Sequence, residues 1–179
     1  MSFVAAVCFD SGDTLVDEGT EVRDEQGVVL RAELIEGAAA TIQAVKALGY
    51  PVALVADGLV DSFTNVLGHV GIWPLFDVIA ISETLTVEKP HPRMFRHALE
   101  QLGVNEQGYN RVVMVGNNLE RDIAGANALG LITTWLDWSP RRSKVPQNAL
   151  EVPDYIARRP KEVIGILAEI EAKHAFKRL

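Results

Sequence analysis

The segment Phe9 to Asp17 contains residue types that suit chemistry, with the sequence Phe-Asp-Ser-Gly-Asp-Thr-Leu-Val-Asp. Asp10 ends an apolar run and is followed at once by Ser11 and Gly12. A carboxylate at the end of a strand, next to such residues, is placed to attack an electrophile that backbone amides hold. The same residue types are common in turns and helix caps. Taken alone, the segment is consistent with a nucleophile or with a turn.

Three later segments also place polar residues at or after the end of an apolar run. They are the residues 54–58 (Leu-Val-Ala-Asp-Gly), 82–92 (Ser-Glu-Thr-Leu-Thr-Val-Glu-Lys-Pro-His-Pro) and 113–123 (Val-Met-Val-Gly-Asn-Asn-Leu-Glu-Arg-Asp-Ile). Each segment is a weak signal by itself. Their occurrence in this order, at the ends of successive apolar runs, favours a functional interpretation of all four.

Five short runs rich in β-branched residues predict the strands that position these segments. The runs are Val4 to Phe9, Pro51 to Ala56, Val78 to Ile81, Arg111 to Val115 and Leu131 to Leu136. Because the runs are apolar on both faces, they suit central strands of a parallel sheet. Ligands on such sheets bind beyond the carboxyl ends of the strands, where the polar segments lie.

Helical patterns alternate with these strands. The predicted helices are Glu36 to Leu48, Asp61 to Val70, His91 to Leu102 and Leu119 to Leu129, and a glycine follows each of them. Glycine is the usual residue at a helix end because it adopts the left-handed conformation without steric strain. The alternation predicts an α/β fold with a mainly parallel, doubly wound sheet.

Two segments interrupt the alternation. Glu21 to Leu34 has turn residues between strand-like flanks, which predicts a β-hairpin over the mouth of the sheet. The stretch from Asp137 to Pro153 contains three prolines and predicts a loop, and a final helix is predicted near Pro160 to Phe176.

The composition limits the classes of function. A net charge of −7 disfavours nucleic-acid binding, and the single cysteine, Cys8, excludes a disulfide framework. No apolar stretch approaches the roughly 18 residues of a membrane span, and no signal peptide is recognisable, so we expect a cytoplasmic protein that binds no membrane. Residues 1–179 are expected to form one domain.

Together the four segments resemble the four motifs of the haloacid dehalogenase (HAD) superfamily, in the family's order. The resemblance runs from about Val4 to Leu136, and the segment 154–156 is similar to the family's usual ending. It implies a three-layer, Rossmann-like fold. Only about 20 residues separate the first motif from Glu36, and no insertion follows Lys89. The resemblance is therefore to capless members, whose open site is completed by a large substrate or by a neighbouring subunit in a homo-oligomer.

The resemblance also implies residue roles. Asp10 would be the nucleophile that attacks phosphorus, giving an aspartyl-phosphate that water hydrolyses, and Lys89 would stabilise the charge on Asp10 and on the phosphoryl oxygens. The second motif would bind the substrate through Ala56, Asp57 and Gly58, although the Asp57 carboxylate would repel a phosphate and also suits a turn. A Mg²⁺ ion would be bound by Asp10, Gly12, Asn117 and Asp122.

Three positions depart from the family pattern. Gly12 replaces the second aspartate of the first motif, the general acid and base, so only its carbonyl could bind metal. Ala56 replaces a Ser or Thr hydroxyl, and Asn117 replaces an aspartate that binds metal. Asp13 follows Gly12 and either substitutes for the missing acid or holds the turn. Without an acid, aryl and acyl phosphates should be better substrates than alkyl phosphates.

These features lead to three hypotheses for function. The first is a Mg²⁺-dependent phosphatase that acts on a small phosphorylated substrate, with Arg23, Arg31, Arg141 and Arg142 as candidates for binding its anionic groups. The alternative is a catalytically degenerate protein that binds a ligand without turnover. A direct ion pair between Lys89 and Asp10, with no space for metal, would favour that alternative. The third is carbon–halogen or phosphonate hydrolysis, for which relatives use a cap.

Overall fold

The computed structural model describes residues 2–175, which form eight strands and six helices. The strands are β1 (Ala6–Phe9), β2 (Val16–Arg23), β3 (Val29–Leu34), β4 (Val52–Ala56), β5 (Val78–Ile81), β6 (Val112–Gly116), β7 (Ile132–Leu136) and β8 (Tyr155–Ala157). The helices are α1 (Ala38–Ala47), α2 (Val60–His69), α3 (Ser82–Leu85), α4 (Pro92–Gln101), α5 (Ala124–Ala128) and α6 (Glu162–Ala175). One turn of π-helix, Leu119–Ile123, leads into α5.

The central sheet has six parallel strands in the order β5-β4-β1-β6-β7-β8. In β1, Val7 pairs with Val52 of β4 on one side and with Val113 of β6 on the other. All residues of β1, β4 and β6 are buried, as expected for strands covered on both faces. The carboxyl ends of these three strands are adjacent, which brings the residues after them to one edge of the sheet.

Helices cover both faces of the sheet and create two core clusters. Val7 and Phe9 point to the face covered by α1, α2 and α6. Ala6 and Cys8 point to the opposite face, where α4 contributes residues such as Phe95. This alternation follows from the two-residue period of a strand, and the result is the expected three-layer α/β architecture.

A separate antiparallel hairpin, formed by β2 and β3, lies over the carboxyl edge of the sheet; we call Val16–Leu34 the flap. Asp24 closes its turn by accepting hydrogen bonds from the N–H groups of Gln26 and Val28. Ser62 and Asn65 of α2 hydrogen bond to the backbone of Val29 at 2.9 and 3.1 Å. The flap is thus attached to the helix that follows β4. Residues 2–175 contain no helical cap domain.

The five predicted sheet strands and three of the four predicted helices are confirmed, with ends that differ by up to two residues. The fourth predicted helix, Leu119 to Leu129, is divided into the π-helical turn Leu119–Ile123 and α5. The first strand of the flap begins at Val16, five residues before the predicted start at Glu21, because its mixed polar sequence hides the strand. β8 lies in a segment assigned to no strand. Helix α6 is described as far as Ala175, and the predicted end at Phe176 lies outside the described residues. No helix in the described range is long and apolar enough to cross a membrane.

Glu171 on α6 ties the last helix to the start of the chain. Its carboxylate accepts hydrogen bonds from the N–H groups of Phe3 and Val4 at 2.8 and 2.9 Å, from the Tyr50 hydroxyl at 3.0 Å, and from the Ser2 hydroxyl. Burial alone would raise the pKa of Glu171, but these donors outweigh it and lower the pKa to about 2. The ionised carboxylate therefore stabilises the folded state.

We predict that Glu171→Gln lowers the free energy of unfolding by about 1–2 kcal/mol at pH 7, a value that allows for screening by solvent. Because folding depresses this pKa, the contribution is complete above about pH 4.5 and is lost as pH falls towards 2. Urea unfolding at pH 7, 4 and 3 should show the difference from wild type shrinking with acidification. Glu169→Gln, which removes an exposed pair with Lys173, is the control and should cost only about 0.3–0.5 kcal/mol. Equal losses in both variants would contradict the prediction.

Candidate functional site

Asp10, Lys89 and Asp122 meet at the carboxyl edge of the sheet. Asp10 directly follows β1, and Lys89 lies in the loop between α3 and α4. The Lys89 Nζ lies 2.6 Å from Asp10 Oδ1 and 2.6 Å from Asp122 Oδ1. It also donates to the backbone carbonyl of Val55 at 2.9 Å. These contacts use all three ammonium hydrogens, so Lys89 is fixed against both carboxylates.

The charges of this cluster shift one another's protonation equilibria. Burial alone would lower the pKa of Lys89, but the Asp10 and Asp122 carboxylates outweigh it and raise the pKa above its ordinary value. Burial and the nearby Asp10 carboxylate raise the pKa of Asp122. Lys89 therefore remains a cation at neutral pH, as a group that stabilises negative charge must.

The π-helical turn after β6 positions Asp122. The Asn118 side chain accepts hydrogen bonds from the N–H groups of Glu120 and Arg121, which caps this turn. Asp122 Oδ2 in turn accepts the Asn118 N–H at 3.0 Å. A Cβ atom on Gly116 would lie 2.5 Å from the Cβ of Asp122 and overlap its carboxyl group. Only glycine at position 116 leaves room for Asp122 beside the end of β6.

A polar cavity of about 80 Å³ opens above this cluster. Its lining is almost entirely charged or amide side chains, with Gly12 contributing backbone, and consists of Asp10, Gly12, Glu18, Asp57, Lys89, Asn117, Asn118, Arg121, Asp122 and Arg142. Thr14 also contacts the site, since its hydroxyl donates to Asp10 Oδ2 at 3.2 Å. The cavity brings together all four residues predicted to bind metal.

A second cavity, of about 150 Å³, lies beneath the flap. Its apolar walls come from the flap and from α2 and the turn before it, and they include Val16, Val29, Leu59, Phe63 and Val66. Glu21, Arg23 and Ser62 add polar groups to the same lining. Gly12, Glu18 and Asp57 line both cavities. The two cavities therefore meet at these three residues, so a ligand with a polar head and a small apolar body could occupy both.

The residues around the polar cavity offer oxygen ligands that suit a hard cation, but only two of the predicted ligands are carboxylates. Asn117 Nδ2 is buried with no hydrogen-bond partner in the described part of the chain. A half-turn of this amide exchanges nitrogen for oxygen, so position 117 can present an oxygen. No group of three or more His, Cys, Asp or Glu residues in the described range is arranged as a metal site. Two carboxylates with neutral oxygens are still a sufficient protein contribution for Mg²⁺, which usually keeps waters and substrate phosphates as its other ligands.

Ala56, Asp57 and Gly58, the residues predicted to bind substrate, differ in whether they reach a cavity and in whether their polar groups are free. Ala56 is buried in β4 and lines neither cavity, so its side chain does not reach a ligand there. The Gly58 N–H donates to the Ser82 hydroxyl at 2.9 Å and is not free for a phosphate oxygen. Asp57 lines both cavities, but its carboxylate accepts hydrogen bonds from the backbone N–H of Lys89 at 2.9 Å and from the Arg121 side chain at 3.1 Å. Asp57 therefore organises the loop around Lys89.

Asp13 does not replace the acid that position 12 lacks. It is fully buried, with φ of 51°, and both of its oxygens are bound by Arg141 at 2.6 and 2.8 Å. Burial would raise the pKa of Asp13, but the hydrogen bonds from Arg141 outweigh it and lower the pKa. Asp13 therefore stays ionised and holds the turn. Arg141, expected as a candidate for anion binding, is occupied by Asp13 and Asp17.

The structure adds residues that the sequence did not assign. Arg121 lines the polar cavity and forms ion pairs with both Asp57 and Glu88. Its position one residue before Asp122 is the only sequence feature that indicates a place in the site. Glu18 of β2 lines both cavities and pairs with Arg142 at 3.0 Å. Burial, together with the nearby Asp13 and Asp10 carboxylates, outweighs Arg142 and raises the pKa of Glu18. No local pattern marks Glu18, because only the fold of the hairpin brings it to Asp10.

The parallel sheet, with polar residues after its central strands, defines a Rossmann-like α/β protein. The sequence model of a family described as haloacid dehalogenase-like hydrolase matches residues 4–130. The chain therefore belongs to the haloacid dehalogenase-like hydrolases, as its motifs imply.

Curated relatives include phosphatases. Glyceraldehyde 3-phosphate phosphatase of Methanopyrus kandleri is 32% identical over 130 residues, which cover 73% of this chain and 54% of that protein. Pyrimidine 5'-nucleotidase YjjG of Escherichia coli is 37% identical over 59% of this chain and 41% of its own length. This chain thus spans about half the length of the curated relatives that it matches. A HAD phosphatase structure from Thermococcus onnurineus superposes with a TM-score of 0.74, covering 92% of this chain and 98% of that one at 19% identity, which confirms the fold.

We predict that Lys89→Met, measured by urea unfolding in buffer with a metal chelator, costs about 3–5 kcal/mol at pH 7, because it leaves two buried carboxylates without a cation. Adding Asp122→Asn should restore part of this loss by removing one charge. Lys144→Met breaks an exposed pair with Asp137 and is the control, with an expected cost of about 0–1 kcal/mol. A Lys89→Met loss no larger than that of the control would show that the cluster is not a charge-balanced unit.

Proposed function

We propose that this chain is a Mg²⁺-dependent phosphatase for small phosphate monoesters or acyl phosphates. One observation carries the proposal: Asp10 lies at the base of a polar cavity, with its carboxylate held by Lys89 and with Asp122 on the other side of the same ammonium group. This arrangement places a nucleophile beside a buried cation at the base of the cavity. The phosphatase names of the curated relatives support the same class of reaction.

In the proposed reaction, an Asp10 carboxylate oxygen attacks the phosphorus atom, the bond from phosphorus to the leaving oxygen breaks, and an aspartyl-phosphate forms. Water then attacks this phosphorus and releases orthophosphate. Lys89 faces the nucleophile and so stabilises the negative charge that passes to the phosphoryl oxygens. Arg121 and Arg142, which also line the cavity, can bind the same oxygens.

Asp10, Asp122, the Gly12 carbonyl and a rotated Asn117 amide are the groups that would hold Mg²⁺. When bound, the ion supplies positive charge that makes the phosphorus more electrophilic. The metal would approach two carboxylates that already share one ammonium group, so the charge available to it is small. We therefore infer weak magnesium binding in the absence of a phosphorylated ligand.

The apolar cavity under the flap is proposed to receive the organic part of the substrate. Its volume of about 150 Å³ suits a compact group of a few carbon atoms. The proposed partner is thus a small phosphorylated metabolite.

A ligand-binding protein without turnover is the alternative that one contact favours. Lys89 pairs directly with Asp10, which is the contact expected of such a protein. The adjoining cavity of about 80 Å³ favours the enzyme, because it leaves space for ligand atoms next to the same carboxylate.

We predict that Asp10→Asn reduces hydrolysis to the background of the assay, because the amide is a poor nucleophile of the same shape. The measurement is phosphate release across a panel of alkyl, aryl and acyl phosphates, with and without Mg²⁺, for wild type and variant. Circular dichroism should show an intact fold in the variant. Equal phosphate release by both proteins would remove Asp10 as the nucleophile, whereas binding of phosphorylated compounds without release by either would establish the binding-protein alternative.

We predict that Asn117→Asp tightens Mg²⁺ binding, because an anionic oxygen replaces a neutral one next to Asp10 and Asp122. Calorimetric titration with MgCl₂ should show a lower Kd, with about a tenfold change corresponding to roughly 1.4 kcal/mol. The matched control is Asn110→Asp, which alters an asparagine outside the site. Unchanged or weaker binding in Asn117→Asp would place residue 117 outside the metal site.

A further inference from the structure

The carboxyl group of Glu18 fills the space in which a side chain at position 12 would stand. A Cβ atom on Gly12 would overlap Glu18 Oε1 and would lie 2.9 Å from the carboxyl carbon of Glu18. Glu18 comes from β2 of the flap and reaches down to the edge of the sheet beside Asp10. The flap therefore returns a carboxyl group to the place where Gly12 has none.

We propose that Glu18 is the general acid and base of the reaction, an inference that rests on the proposed phosphatase function. Glu18 lines both the polar cavity at Asp10 and the apolar cavity under the flap. A phosphate ester with its phosphoryl group in the first and its organic group in the second has its bridging oxygen at the boundary between them. That oxygen is the atom that needs a proton when it leaves.

The other carboxyl groups around the polar cavity are already engaged. Asp10 is the nucleophile, and Asp122 is held by Lys89 and by the Asn118 N–H. Asp57 is held by the Lys89 N–H and by Arg121.

Glu18 differs from these groups, because only its Oε2 is bound, by Arg142 at 3.0 Å. Its Oε1 has no hydrogen-bond partner within residues 2–175 and can meet a substrate oxygen. Arg142 fixes the carboxyl group without covering that oxygen.

In the proposed reaction, Glu18 donates one proton in the first step and takes one proton back in the second. As Asp10 bonds to phosphorus and the ester bond breaks, the Glu18 carboxyl group gives its proton to the departing oxygen, which leaves as an alcohol. The resulting carboxylate takes a proton from water as the water oxygen attacks the aspartyl-phosphate. The bond between Asp10 and phosphorus breaks, orthophosphate leaves, and both Asp10 and Glu18 return to their starting states.

This role revises the expectation that follows from Gly12. Wild type should hydrolyse alkyl phosphates as well as aryl phosphates, and the preference for aryl esters should instead be found in Glu18→Gln. General acid catalysis contributes about 10²- to 10⁴-fold, and we expect kcat/KM for an alkyl phosphate to fall by that factor in Glu18→Gln. For p-nitrophenyl phosphate, whose leaving group is a stable anion, the fall should be less than about tenfold.

The experiment compares kcat/KM of wild type, Glu18→Gln and the control Glu33→Gln, with p-nitrophenyl phosphate and the best alkyl phosphate of the panel. Glu33 is an exposed residue of β3 that lines neither cavity, so its substitution should change neither value. In Glu18→Gln, rapid mixing with p-nitrophenyl phosphate should also show a burst of nitrophenolate, because hydrolysis of the aspartyl-phosphate has lost its base. A parallel fall for both esters, or no fall for the alkyl ester, would overturn the assignment of Glu18.

A double variant provides a second test, which does not depend on the glutamine substitution. Glu18→Ala should lose alkyl phosphate hydrolysis, and Gly12→Asp in the same chain should recover at least tenfold of it by placing a carboxyl group in the vacated space, within the range of general acid catalysis. Double-variant activity no higher than that of Glu18→Ala, in a protein with wild-type circular dichroism, would contradict the proposal.

Two results for the wild-type protein distinguish a failure of the Glu18 assignment from a failure of the proposed phosphatase function. Wild type that hydrolyses aryl but not alkyl phosphates would remove Glu18 as the acid and leave the phosphatase function standing. Wild type that hydrolyses no phosphate in the panel would overturn both proposals.

Discussion

Two carboxylates share one buried ammonium group, and the surrounding structure is arranged to keep them together. Lys89 is 4% exposed and Asp122 is 1% exposed, so neither charge could be buried without the other. Each partner depends on a different part of the chain: Asp10 on the central strand β1, Asp122 on the π-helical turn after β6, and Lys89 on a loop that Asp57 binds. The ion pairs thus make the geometry of the site depend on the pairing of β4, β1 and β6.

Close packing of side chains against backbone is the second constraint on this edge of the sheet. Asp122 packs against Gly116 and Glu18 packs against Gly12, and in both cases a Cβ atom would occupy the space of the carboxyl group. Glycine in these positions is therefore a matter of space, since neither residue has a positive φ. The flap and the 137–153 loop are fixed to each other by Arg141 and Arg142, which pair with acidic residues of the first motif and of β2.

The sequence predicts the sheet well because β1, β4 and β6 are continuous apolar runs that solvent never reaches. It also predicts the meeting of Asp10, Lys89 and Asp122, since the ends of parallel strands share one edge. It does not predict Glu18, because the two-residue period of β2 is obscured by polar residues on both of its faces. Nor does it reveal that Gly58 and Asp13 are engaged elsewhere, because Ser82 and Arg141 lie 24 and 128 residues away in the chain.

The strand order has a consequence for synthesis on the ribosome. β1 is made before the other seven described strands and lies in the middle of the sheet, yet it pairs with Val52–Leu54 on one side and with Val112–Val115 on the other. A nascent chain therefore carries an apolar strand with an unsatisfied edge until residues 112–115 have been made, the condition under which chains aggregate or recruit chaperones. Arg142, which holds Glu18, is made later still. The candidate site begins at Asp10, yet it cannot be assembled until residue 142 has been made.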